Sequence, residues 1–188
     1  RDLVARKGYA GTSISMICRE AGINASSLYW FFASKEDLFL AVIEEGAQAF
    51  LDAVAVPPPV AQAPGDAGRE DTVAVISDRL SRNTLFLRVL LVMMLEAHDV
   101  SPAFRARVDE IRSRSLDWWR TLLSGLFQPL GANDALRLAD EFAPLCRATL
   151  NGAFIAEQFG ERVSVGTILR QLLLLLDGLV QTLARERG

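Results

Sequence analysis

Residues 12–37 read TSISMICREAGINASSLYWFFASKED, and the order of caps, apolar periods and glycine in this stretch decides the fold. Thr12 can cap a helix in which Ile14, Ile17, Cys18 and Ala21 recur at i, i+3, i+4 and i+7, the spacing of one buried face. Gly22 then ends that helix, because glycine enters the left-handed conformation at no steric cost. Asn24 caps a second helix running to about Phe32, with Leu28 and Phe32 turned inward beside Ile23 and with Ser26, Ser27, Tyr29 and Trp30 facing out. Ser34 caps a third helix, with Asp37 at the capping-box position.

Two short helices about a glycine turn are the helix-turn-helix plan, whose second helix enters the major groove of duplex DNA. Gly8-Tyr9-Ala10-Gly11-Thr12-Ser13-Ile14, then Ala21-Gly22-Ile23, then Ser27-Leu28-Tyr29-Trp30-Phe31-Phe32, then Ser34-Lys35-Glu36-Asp37-Leu38 form one ordered string. Over about residues 1–46 it resembles the N-terminal domain of the TetR family of bacterial transcriptional regulators. The resemblance implies that Ser26, Ser27, Tyr29 and Trp30 touch bases or sugars and that Lys35 touches the backbone. Thr12 and Ser13 add hydroxyls beside the unsatisfied N–H groups of a helix start, where phosphates bind. It further implies double-stranded operator DNA as partner, a homodimer, a small-molecule effector and a repressor acting in the bacterial cytoplasm.

The sequence also departs from that pattern. Ser15 and Ala25 stand where many relatives carry basic residues. Residues 1–46 hold Arg1, Arg6, Lys7, Arg19 and Lys35 against Asp2, Glu20, Glu36, Asp37, Glu44 and Glu45, so the segment is not basic. Phosphate affinity comes chiefly from Lys and Arg, which keeps open an alternative, an all-α ligand-binding or protein-interaction module without DNA binding. Relatives have a longer first helix and a basic arm ahead of it. The N-terminal part of the first helix is expected to be missing from this sequence.

With 188 residues, 51% apolar content and a formal charge of −3, the chain has the composition of a folded protein with no general affinity for polyanions. Cys18 and Cys146 fall on apolar helix faces in different predicted domains, which argues against a disulfide or a metal site and suits a reducing compartment. Leu85–Leu95, interrupted by Arg88, is too short to span a membrane, and Leu172–Leu176 is followed by Asp177, so no membrane association is expected. The prolines of the stretch 56–68, VPPPVAQAPGDAG, mark a flexible linker. The division is a helix-turn-helix domain over 1–46 and an effector-binding and dimerisation domain over 47–188.

Beyond the linker the periodicity predicts helices over 69–82, 83–98, 102–127, 133–159 and 164–186, with Asn83 and Ser101 as caps and Pro144 bending or dividing the fourth. No alternating run argues for a strand, so the class is all-α. Ala148, Gly152 and Ala156 make a small-residue stripe that lets another helix approach, and the last helix carries leucines all round its middle. With the twofold pairing that the resemblance implies, Ala148, Gly152, Ala156, Leu172, Leu176 and Leu179 are the expected dimer interface.

Phe86, Met93, Met94, Trp118 and Trp119, with His98 and Asn151 as polar points, have the chemistry that lines a pocket for a mainly apolar effector, and equally that of an ordinary core. No catalytic residues and no cofactor are expected. One histidine, two distant cysteines, no phosphate-binding glycine loop and no metal-ligand spacing leave few parts for an enzyme. The adjacent carboxylates Asp109/Glu110 and Asp140/Glu141 point in different helical directions and read as solvated surface.

Overall fold

A computed structural model of the chain describes residues 3, 7–54, 73–78, 84–95 and 100–186, without the side chains of 51, 53, 54, 84, 85, 93 and 94. The elements are α1 (Ile14–Ala21), α2 (Ala25–Phe31), α3 (Lys35–Val54), a helical stretch over 73–78, α4 (Thr84–Leu95), α5 (Pro102–Phe127), a 3₁₀ turn (Gln128–Leu130), α6 (Ala132–Gln158) and α7 (Val165–Arg185). Among the described residues there is no strand, and the all-α class expected from periodicity is the one found. The proline-rich stretch 56–68 and the Asn83 cap lie outside the described residues.

The chain forms two compact units. The first comprises Arg1–Asp52 and Leu80–Ser113, the second Ala53–Arg79 and Arg114–Gly188. In the first, Tyr9, Phe39, Ile43 and Ala47 share one core with Phe86, Val89, Val100, Phe104, Val108 and Ile111. The Tyr9 ring stands edge-on to Phe39 at 4.9 Å between centroids and lies 6.0 Å from Phe104. Burying each such side chain contributes about 1.5–3 kcal/mol, so segments far apart in sequence are held together chiefly by this cluster. Gly46 lets α3 come close to Phe86: a Cβ there would lie 2.9 Å from Cγ of that ring and nearer still to its edge.

In the second unit α6 packs against α7. α6 buries Leu138, Ala139, Ala143, Cys146, Leu150, Ala153 and Phe154. α7 buries Val165, Leu169, Leu172, Leu173, Leu176 and Val180, and Ser164 caps it by accepting from the Thr167 N–H at 3.1 Å. Pro144 does not divide α6, which runs unbroken from Ala132 to Gln158. Pro144 and Asp140 are both exposed, so the carbonyl that loses its i+4 donor faces water instead of being orphaned in the core. α7 is the one described helix long and apolar enough to cross a membrane by length and composition, yet its regular buried series faces the second unit's own core.

Candidate nucleic-acid interface

The turn between α1 and α2 is built by local chemistry. Gly22 adopts φ 66°, ψ 26°, and the Ile23 N–H donates to the Cys18 carbonyl at 3.0 Å, closing α1 with a left-handed cap. Asn24 then starts α2, its Oδ1 accepting from the Ser26 N–H at 2.9 Å. Ser34 starts α3 in the same way, accepting from the Asp37 N–H at 3.0 Å. Of the residues expected to face inward, Leu28 is buried and Phe32 half-buried, whereas Ile23 is 44% exposed because it follows the cap, where the chain leaves the helix.

The cap of α1 lies one residue later than the sequence suggests. Ser13 holds it, its Oγ accepting from the Met16 N–H at 3.3 Å. Thr12 is 1% exposed, and its Oγ1 donates to the Gly8 carbonyl at 2.7 Å while its N–H donates to Tyr9 at 3.2 Å. Its hydroxyl closes the preceding turn and is turned away from any ligand outside the chain. Ser13, Ser26 and Ser27 are exposed, as are Tyr29 at 54% and Trp30 at 85%. Phe31, to which the sequence assigned no role, is exposed as well.

Lys35 does more than present a charge. Its Nζ donates to the Tyr9 carbonyl at 2.6 Å and lies 4.0 Å above the centre of the Tyr9 ring, a cation–π contact that ties the start of α3 to the turn ahead of α1. Burial first, and then the nearby Glu36 carboxylate, push the Tyr9 phenol above its usual range, so that ring stays neutral. Glu36 itself accepts from the Ser101 N–H at 3.0 Å and from the Ser101 hydroxyl at 2.6 Å, while Ser101 Oγ accepts from the Phe104 N–H at 3.2 Å. The carboxylate thereby caps the positive end of α5. Arg107, one turn further on, pairs with Glu44 and Glu110. The links from Glu36 to Ser101 and from Glu44 to Arg107, 65 and 63 residues apart in sequence, have no local signal.

The expected pocket residues are divided between the units. Phe86 belongs to the first, 6.1 Å from Phe50. Trp118, Trp119 and Asn151 belong to the second, where the two indoles meet edge-on at 5.1 Å and Trp119 is buried. The side chains of Met93 and Met94 and the whole of His98 lie outside the described residues. Burial raises the Cys146 thiol to about 11, so it stays protonated, and Cys18 is also buried and free. Asp140, read as solvated, lies 2.8 Å from the Arg120 guanidinium, which also meets Asp117 at 2.7 Å.

Of the expected dimer residues, Ala148 and Gly152 are exposed and Ala156 and Leu179 half-buried, but Leu172 and Leu176 face the second unit's own core. The exposed leucines of α7 are Leu174 and Leu175. On α6 and its C-cap, Leu145, Ala148, Gly152, Ile155 and Phe159 mark one exposed apolar stripe at steps of three and four residues.

Residues 1–42 match the family described as bacterial regulatory proteins, tetR family. The fold is similar to that of a TetR family transcriptional regulator, PfmR, from Thermus thermophilus, at 16% identity over 93% of this chain and 92% of that one, with a TM-score of 0.66. It is similar to a putative transcriptional regulator from Saccharomonospora viridis in complex with choline, at 23% identity, 91% and 87% coverage and a TM-score of 0.61. It is similar also to the transcriptional regulator FadR from Bacillus subtilis in complex with stearoyl-CoA, at 17% identity, 93% and 92% coverage and a TM-score of 0.59.

Proposed function

We propose, for a chain whose N-terminal motif and helical fold are those of TetR family transcriptional regulators, that it binds operator DNA as a homodimer and acts as a cytoplasmic repressor. The observation that carries this is the outward face of α2: Ser26, Ser27, Tyr29 and Trp30 stand exposed on a short helix that a glycine turn joins to α1. Ser13 adds a hydroxyl at the start of α1. Lys35, clasped to Tyr9, brings a positive charge to the start of α3, where it supports backbone contact. The exposed stripe of α6 together with Leu174 and Leu175 supports a twofold pairing through α6 and α7. A small, mainly apolar effector would release the operator by binding the two arrangements of the heads unequally. Similar structures that hold choline and stearoyl-CoA support an effector.

Selection of genomic duplexes by the full-length protein tests the reading. A palindrome should be enriched, its half-site centres about 34–36 Å apart or a multiple of that. Absence of any enriched palindromic site at low salt would overturn it.

A further inference from the structure

The second helix of the motif, ASSLYWF over Ala25–Phe31, has no charged and no amide side chain. In the major groove each base edge has its matching chemistry: Arg or Lys for guanine, Asn or Gln for adenine, Asp or Glu for the cytosine amino group, and apolar carbon for the thymine methyl. The first three are missing from this helix. Since Leu28 is buried, helical geometry of about 100° per residue places Ser26 and Trp30 together on the opposite, outermost face, with Ser27 and Tyr29 on its flanks. A serine hydroxyl both donates and accepts, so it separates the bases poorly. What remains on that outward face is the carbon surface of two rings, Tyr29 and Trp30, since Phe31, though exposed, falls about 60° from the buried Leu28. Trp30, 85% exposed, is spent on no part of the chain's own core.

We infer that α2 reads thymine methyl groups, with Trp30 as the principal specificity-determining contact and the Tyr29 ring beside it. The inference rests on the DNA-binding function proposed above and specifies its chemistry. The bases beneath this helix are chosen by their C5 methyls, and backbone affinity comes from cations outside it, such as exposed Lys7 and Arg19.

Replacing thymine by uracil deletes the methyl and leaves pairing unchanged. The full chain is presented with its enriched operator and with duplexes carrying uracil at one half-site position at a time. At least one position should lose about fourfold in affinity, the worth of one buried methyl group. Trp30→Ala should then bind the thymine and uracil duplexes equally at that position, with its helical circular dichroism unchanged because the side chain lies at the surface. Equal affinity for thymine and uracil at every position would overturn the inference while leaving the regulator function standing. So would a Trp30→Ala protein that loses the same factor on both duplexes, which would place the indole against the backbone or a second copy. Failure to enrich any sequence would sink the proposed function, and this inference with it.

Discussion

Gly46 is a position where two residue-level effects oppose each other. In the middle of a helix, alanine is ordinarily favoured over glycine by about 1 kcal/mol. Here the added Cβ would run into the ring of Phe86, itself buried in the first unit's core. Gly46→Ala should therefore destabilise by about 1–3 kcal/mol, seen as a lower urea midpoint at unchanged slope. Gly125→Ala, whose Cβ would meet nothing within 4 Å, is the control and should stabilise slightly. What could be read at this scale was what depends on near neighbours: Gly22, Asn24 and Ser34 cap as their spacing indicates. Ser13 takes the cap expected of Thr12 because both carry the same hydroxyl, and only the path of the Gly8–Thr12 turn decides which one faces inward. The clasp of Lys35 on Tyr9 joins residues 26 apart, beyond the reach of any periodicity.

At the scale of elements, α5 begins on a carboxylate borrowed from α3. Glu36→Ala should remove both acceptors from Ser101 and cost about 1–3 kcal/mol, with faster amide exchange at Ser101 and Phe104. Combined with Ser101→Ala it should cost less than the sum of the two single changes, since the partners are shared. A strictly additive result would show that the contact contributes nothing to stability. The long helices were legible within a residue or two, Pro102–Phe127 to the residue, because Ser101 and Pro102 mark the start and the apolar period persists. The faces of α7 were not. Within the unbroken run Leu172–Leu176 itself hydropathy carries no phase, and packing against α6 shows that Leu172, Leu173 and Leu176 turn in while Leu174 and Leu175 turn out.

For the whole molecule, the exposed stripe gives the pairing its sharpest test. Leu175→Arg replaces an exposed leucine, so the folded subunit should persist; in a dimer it would bury an unpaired charge. Light scattering should report a monomer, and operator affinity should fall at least about tenfold as two linked heads become independent. A variant that stays dimeric would exclude this face. The helix-turn-helix was readable from one contiguous stretch, and the all-α class from helical periodicity along the whole chain. The partnership of that stretch with Phe104, Val108 and Ile111 was not, because it depends on contacts across some 65 residues.

That shared core sets the terms on which such a protein can change what it recognises. Tyr9, Phe39 and Ile43 are sealed by residues of α4 and α5, so a splice after residue 46 would carry off a head with half its floor missing. A transplantable cassette needs 1–52 together with 80–113, and a crossover after residue 113 that keeps both would also carry off residues 53–79 of the second unit. Exchange of the head alone is therefore a poor route to a new operator for the proposed regulator. Point substitution at the exposed Ser26, Ser27, Tyr29 and Trp30 of α2, none of them in that core cluster, would in the proposed regulator alter recognition without unsettling it.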